Sequence, residues 1–94
     1  MADKSRTTPC ACFSHDEERG RLRIDLEMPG ANKDDIKLEM RKDSFCVSAP
    51  IYSSCFMLPH EVEPDRTEAK YENGFLRILS PIKDWEHKVS VPIQ

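Results

Sequence analysis

Four cysteines and three histidines are the residues of this 94-residue chain with the widest chemical reach. Cys10 and Cys12 stand two apart, so on an extended segment both side chains leave by the same face. With two further thiolates, or with His15 as the nearest imidazole, they supply the donor types of a tetrahedral metal site. The C-x2-C spacing that builds such sites is absent and no second close pair follows, so no metal site is expected. Cys46 and Cys55 fall out of phase with the apolar positions around them, which puts both on an outward face. The four thiols read as small packing groups or redox-sensitive surface residues, although four is many for a reducing cytosol.

Nucleophilic catalysis needs a cysteine or serine beside a histidine and a third group that orients it. His60 and His87 follow charged, turn-like sequence with no elbow motif, and read as solvent-exposed bystanders. Acidic residues are spread along strand exteriors, and no glycine-rich loop is suited to cradle phosphate. The expectation is a protein without catalytic residues or cofactor.

The elements that must position these residues are strands. Leu22, Ile24, Leu26 and Met28 alternate with Arg21, Arg23, Asp25 and Glu27, the period of a strand with one wet face. Pro29-Gly30 fits a type II turn, proline fixing φ and glycine accepting the positive value. Ile36, Leu38 and Met40 then alternate with Lys37, Glu39 and Arg41. After the polar turn Lys42-Asp43-Ser44, Phe45 and Val47 open another strand that Pro50 breaks, because proline cannot donate to a ladder. Tyr52, Ser54, Phe56 and Leu58 resume the period until Pro59.

Asn73-Gly74 sits between two more alternating stretches. Asn-Gly accepts positive φ at both central positions of a two-residue hairpin, and that turn matches the twist of its strands. Ala69 and Tyr71 then share a face before the turn, and Leu76 and Ile78 after it. A helix capped by Asp65 and Glu68 would put Gly74 in its interior and run into Pro81, so the hairpin is preferred. The pattern as a whole predicts an all-β, immunoglobulin-like sandwich of about seven antiparallel strands in two sheets.

Length and composition agree. Ninety-four residues make one domain, and 38% hydrophobic residues supply a modest core. A net charge of −3, with Arg41-Lys42 the only adjacent basic pair, argues against nucleic acid. No run approaches the ~20 apolar residues of a membrane helix. Met1 to Arg6 is followed by no apolar stretch of signal-peptide type, so a cytoplasmic location is expected. Residues 1–9 are polar and expected to form a disordered arm.

Two motifs resemble the signature of the α-crystallin domain, the core of the small heat shock proteins. Phe56-Met57-Leu58-Pro59 matches F-x-L-P, and Ala69 through Asn73-Gly74 to Leu76 and Ile78 matches A-x-x-x-N-G-x-L-x-I, closed by Pro81. Upstream, Leu26 to Gly30 followed by Asp34-Asp35-Ile36 is similar to the family's L-P-G-x-x-x-x-D-I. The resemblance covers roughly Cys10 to Pro81. It implies three parts: an arm over residues 1–9, the sandwich over 10–81, and an extension over 82–94.

The same resemblance implies an ATP-independent holdase that binds partly unfolded clients through exposed apolar surface of weak, exchangeable occupancy. The groove implied for clients or tail lies between the strand Ile36–Met40 and the strand Glu68–Tyr71, with Ile36, Leu38, Ala69 and Tyr71 in it. Val91-Pro92-Ile93 resembles the family's I-x-I/V anchor, so Val91 and Ile93 are the expected docking side chains and self-association through the tail is expected. The alternative is a last edge strand over Lys88 to Ile93. Trp85 is expected to cover a sheet edge.

Three departures from the family pattern stand out. Only Pro50 and Ile51 join two strands that many members separate by a long loop carrying an exchanged strand. Ser54 replaces a common arginine, and the N-terminal arm is short and polar. These features suit a second class, the CS-domain cochaperones and adaptors, which share the sandwich and lack the exchanged strand. A redox- or metal-responsive variant rests on cysteine number alone.

Overall fold

The alternating stretches become seven strands in the computed structural model, which describes residues 7–83 and 91–94. They are β1 (Cys10–Asp16), β2 (Arg21–Glu27), β3 (Lys37–Met40), β4 (Ser44–Ala49), β5 (Tyr52–Met57), β6 (Glu68–Glu72) and β7 (Phe75–Pro81). One sheet runs β1-β2-β7-β6, the other β3-β4-β5, and every pairing within them is antiparallel. Among the described residues there is no α-helix. The expected two-sheet sandwich is the fold.

Period-two burial holds the sheets together. Leu22, Ile24 and Leu26 of β2 point inward at 0% exposure, while Arg21, Arg23 and Asp25 between them are half-buried on the outer face. Their register partners on β7 include Ile78 opposite Ile24 and Leu76 opposite Leu26. From the smaller sheet Phe45, Val47 and Ala49 meet them. Each fully buried aliphatic or aromatic side chain contributes about 1.5–3 kcal/mol over its exposed state, so this central layer dominates stability. Among the described residues Ser80 is the buried polar exception, at 0% exposure; its hydroxyl lies 2.7 Å from Thr67 Oγ1.

The two glycine turns behave as their residues require. Gly30 has φ +83° and the Ala31 N–H donates to Met28 O at 3.3 Å, as in a type II turn. Asn73 at φ +54° and Gly74 at +83° form the hairpin between β6 and β7. The turns touch: the Met28 N–H donates to Gly74 O at 2.8 Å. A Cβ at Gly74 would lie 3.5 Å from Pro29 Cα, an ordinary contact, so positive φ rather than space demands glycine there.

Several boundaries differ from the sequence reading. β1 is a full strand, paired along its length with β2, although its apolar alternation is weak. As expected, no helix follows Asp65; Pro64–Arg66 makes a single 3-10 turn, and the Thr67 hydroxyl after it donates to Glu63 O at 3.1 Å. Ile82, one residue past the expected domain end, is buried and bridges Val62. Of the expected disordered arm, residues 1–6 lie outside the described residues, whereas Thr7 pairs with the start of β5. Its N–H donates to Ile51 O at 2.9 Å and its carbonyl accepts from the Ser53 N–H at 3.1 Å.

Candidate functional site

Stacking the sheets leaves two seams where an edge strand of one faces an edge strand of the other. Among the described residues β3 pairs only with β4, and β6 only with β7, so each has one edge without a sheet partner there, on the same side of the sandwich. Between them lies a cleft of about 260 Å³, walled by Ile36 and Leu38 on one side and Ala69, Lys70 and Tyr71 on the other, with Leu76 among its lining residues. All four groove residues expected from the sequence therefore meet at one cleft.

Ile36, Leu38 and Tyr71 are half-buried and Ala69 is exposed, so the walls offer apolar surface that the core does not consume. Tyr71 is fixed by its hydroxyl, which donates to Met28 O at 2.7 Å across 43 residues of sequence. Ile36 follows a 3-10 turn at Lys33–Asp35, started by the Asn32 side chain accepting the Asp34 N–H at 3.1 Å. Lys33 and Lys70 stand on the rim, where the Lys70–Glu72 pair at 3.6 Å is largely exposed and adds little stability. Rigid elements thus hold an apolar slot with a polar border.

The opposite seam, between β1 and β5, is bridged by aromatic rings. Phe45 and Phe56 stack with centroids 5.0 Å apart and planes at 18°, and Phe13 of β1 lies 6.5 Å from each. Beside this cluster the Nε2 atoms of His15 and His60 are 2.8 Å apart. Nothing in the sequence pattern connects these two histidines, and His60 is not the bystander expected; the fold joins them. His87 and Trp85 lie outside the described residues.

The cysteines divide. Cys46 and Cys55 do lie on the outer face of their sheet, yet they are not thiols: they form a disulfide. They are direct partners in the β4–β5 register, with Cα atoms 4.0 Å apart, the close spacing of a non-hydrogen-bonded pair where side chains approach most nearly. The signal was present in the sequence, because both stand at equal distance from the Pro50-Ile51 connection, which fixes that register. Cys10 and Cys12 are free and exposed on β1. Pairing of the other two removes them from the four-ligand set considered above.

Val91 and Ile93 are 75% and 98% exposed and take no regular structure, so neither occupies the chain's own cleft. No strand forms at Val91–Gln94, and Lys88 to Ser90 fall outside the described residues. Among the described residues no helix is long and apolar enough to cross a membrane.

A sandwich of four and three antiparallel strands, with this cleft between its edges, is of the α-crystallin type that small heat shock proteins carry. The family model described as the HSP20-like domain found in ArsA matches residues 19–79, more than half of the chain, and the chain belongs to that family. Among solved structures, heat shock protein 16.0 from Schizosaccharomyces pombe matches with a TM-score of 0.75 at 18% identity, covering 95% of this chain and all of that one. A small heat-shock protein from Xylella fastidiosa, described as having a distinct high order structure, gives 0.69 at 16% identity over 96% of this chain and 95% of that one. The nuclear movement protein from E. cuniculi gives 0.63 at 16% identity over 78% and 85%. At these identities the likenesses establish the fold. A sequence comparison with curated proteins finds no match.

Proposed function

We propose that the protein is an ATP-independent holdase of the small heat shock type, binding partly unfolded proteins at the cleft between β3 and β6 and limiting their aggregation. The observation that carries this reading is the apolar cleft itself, set between two strand edges that have no sheet partner among the described residues. An extended, unfolded segment suits such a place twice over: its backbone can add to a free edge while alternate apolar side chains enter the slot. Ile36, Leu38, Ala69 and Tyr71 offer no directional polar group that would select one client sequence, apart from a tyrosine hydroxyl already engaged.

The tail has the same chemistry as a client. Burial of Val91 and Ile93 contributes about 3–5 kcal/mol before ordering and association costs, a millimolar interaction for one tail. Several tails on one assembly act together through effective concentration, and their release frees clefts for clients. Self-association through the tail rests on the resemblance of Val91-Pro92-Ile93 to the family's anchor and on the exposure of both side chains. Cytoplasmic action, with no enzymatic step and no cofactor, belongs to the same reading.

The test is suppression of aggregation of a heat-labile enzyme, together with particle mass in solution with and without Val91–Gln94. Wild type is expected to suppress aggregation, and L38D to lose that ability while still melting cooperatively. Undiminished suppression by L38D, or unchanged mass and activity after truncation, counts against the cleft or the tail respectively.

A second reading, a CS-domain-like cochaperone or adaptor acting on one defined partner, is favoured by two observations. One is the likeness to the nuclear movement protein, and the other is the two-residue connection between β4 and β5, which leaves no segment to exchange. Light scattering separates the two: a monomer at high concentration that does not suppress aggregation supports the adaptor.

A further inference from the structure

We propose that His15 and His60 form a binding site for one divalent transition-metal ion, tying β1 of the four-stranded sheet to the segment that follows β5. The proposal stands apart from the holdase reading, because neither histidine lines the cleft on the other side of the sandwich.

One imidazole comes from β1 and the other from the segment that follows β5, 45 residues apart in sequence, yet their Nε2 atoms converge to 2.8 Å. The rings are nearly perpendicular, with planes at 74° and centroids 4.8 Å apart. At that distance one ring donates an Nε2–H to the lone pair of the other. Two nitrogens bound to one ion by bonds of about 2.0–2.1 Å at a tetrahedral angle stand roughly 3.3 Å apart. A parting of about half an ångström therefore turns the hydrogen bond into a chelate. The proton lying between the rings moves to Nδ1 of its own ring, so both imidazoles bind in the neutral form.

The backbone that carries each side chain is held before any ion arrives. His15 sits within β1, opposite the buried Leu22 of β2. His60 lies on a short segment pinned on both flanks: the Leu58 N–H donates to Asp43 O and the Val62 N–H to Lys42 O, each at 2.8 Å. Val62, two residues on, is 1% exposed and anchors the segment in the core. Neither ring needs to be recruited from a mobile loop, the condition under which two ligands suffice for measurable binding.

Among the described residues no third histidine, cysteine or carboxylate joins the pair, so water completes the coordination. Exposure of both rings leaves room for it. Imidazole with water selects Cu²⁺, Ni²⁺ and Zn²⁺ over the hard cations Mg²⁺ and Ca²⁺, with affinity rising from Ni²⁺ to Cu²⁺. The ion would tie the four-stranded sheet to the segment following β5, directly beside the Phe13–Phe45–Phe56 cluster.

The experiment titrates Zn²⁺ and Ni²⁺ onto the full chain carrying C10S and C12S, which removes the free thiols as competing ligands. Binding stoichiometry and thermal melting are read in a non-coordinating buffer. One ion per chain is expected, with the melting temperature rising by about 5–10 °C at tenfold excess over Kd. H15N and H60N, each in that background, should melt like their metal-free parent, weaken binding at least tenfold and lose the shift, whereas H87N should retain it. The proposal is overturned by absence of saturable binding in the C10S/C12S background, by binding that H15N and H60N leave intact, or by one ion shared between two chains.

Discussion

The two seams of the sandwich are bounded in the same way, by one edge strand from each sheet, and are filled in opposite ways. Between β1 and β5 three phenylalanines interlock and a histidine pair spans the gap. Between β3 and β6 the residues facing each other include an alanine and half-buried aliphatics, and a cleft of about 260 Å³ remains. The first seam brings three aromatic rings together, whereas at the second Tyr71 lines the cleft wall with its hydroxyl tied to Met28 O. At the first seam Phe45 is buried, Phe56 half-buried and Phe13 39% exposed; at the second, half-buried Ile36, Leu38 and Tyr71 surround an open cleft that keeps apolar surface for something outside the fold.

Substitutions at the two seams should therefore separate stability from binding. F45A strikes hardest: the ring is 1% exposed and stacked on Phe56, so truncation costs about 3–5 kcal/mol, seen as a collapse of the urea midpoint. Reduction of Cys46–Cys55, or C55S, comes next; releasing a nine-residue separation costs about 2–3 kcal/mol by chain entropy, measurable as a midpoint shift with and without reductant. L38A, at the half-buried cleft wall, should cost only about 1–2 kcal/mol while impairing client suppression. A stability loss at Leu38 equal to that at Phe45 would erase the distinction between the seams. Y71F removes the hydroxyl bond to Met28 O and should lower stability by about 1 kcal/mol in the same urea assay. Smallest of all, I93A should leave unfolding within about 0.5 kcal/mol of wild type and alter only particle mass.

Much of this architecture is legible in the sequence. β2 announced itself through strict alternation from Arg21 to Met28, and the hairpin through Asn73-Gly74, because period and turn chemistry are local properties. The cleft residues were legible for the same reason: parity on β3 and β6 assigns faces, and the family resemblance sets those strands against each other. What escaped depended on register and on contacts distant in sequence. The disulfide required matching Cys46 to Cys55 across the Pro50-Ile51 turn, beyond knowing that both faced outward. His15 and His60 meet only because β1 and β5 come to the same side of the stacked sheets, which no local pattern encodes. β1 carries too few apolar residues to signal a strand and is recruited by pairing with β2.

The position of the cystine has a mechanical consequence. β5 borders its sheet, and a border strand is the one that frays or slips, offering bare amides to whatever unfolded chain is nearby. A covalent rivet between Cys46 and Cys55 prohibits a one-residue slide, which would turn Phe56 out to water and Cys55 inward. With Thr7 tethered over the first residues of the same strand, the margin that exposes Met57 is kept from unravelling into the tangles that partly unfolded neighbours form.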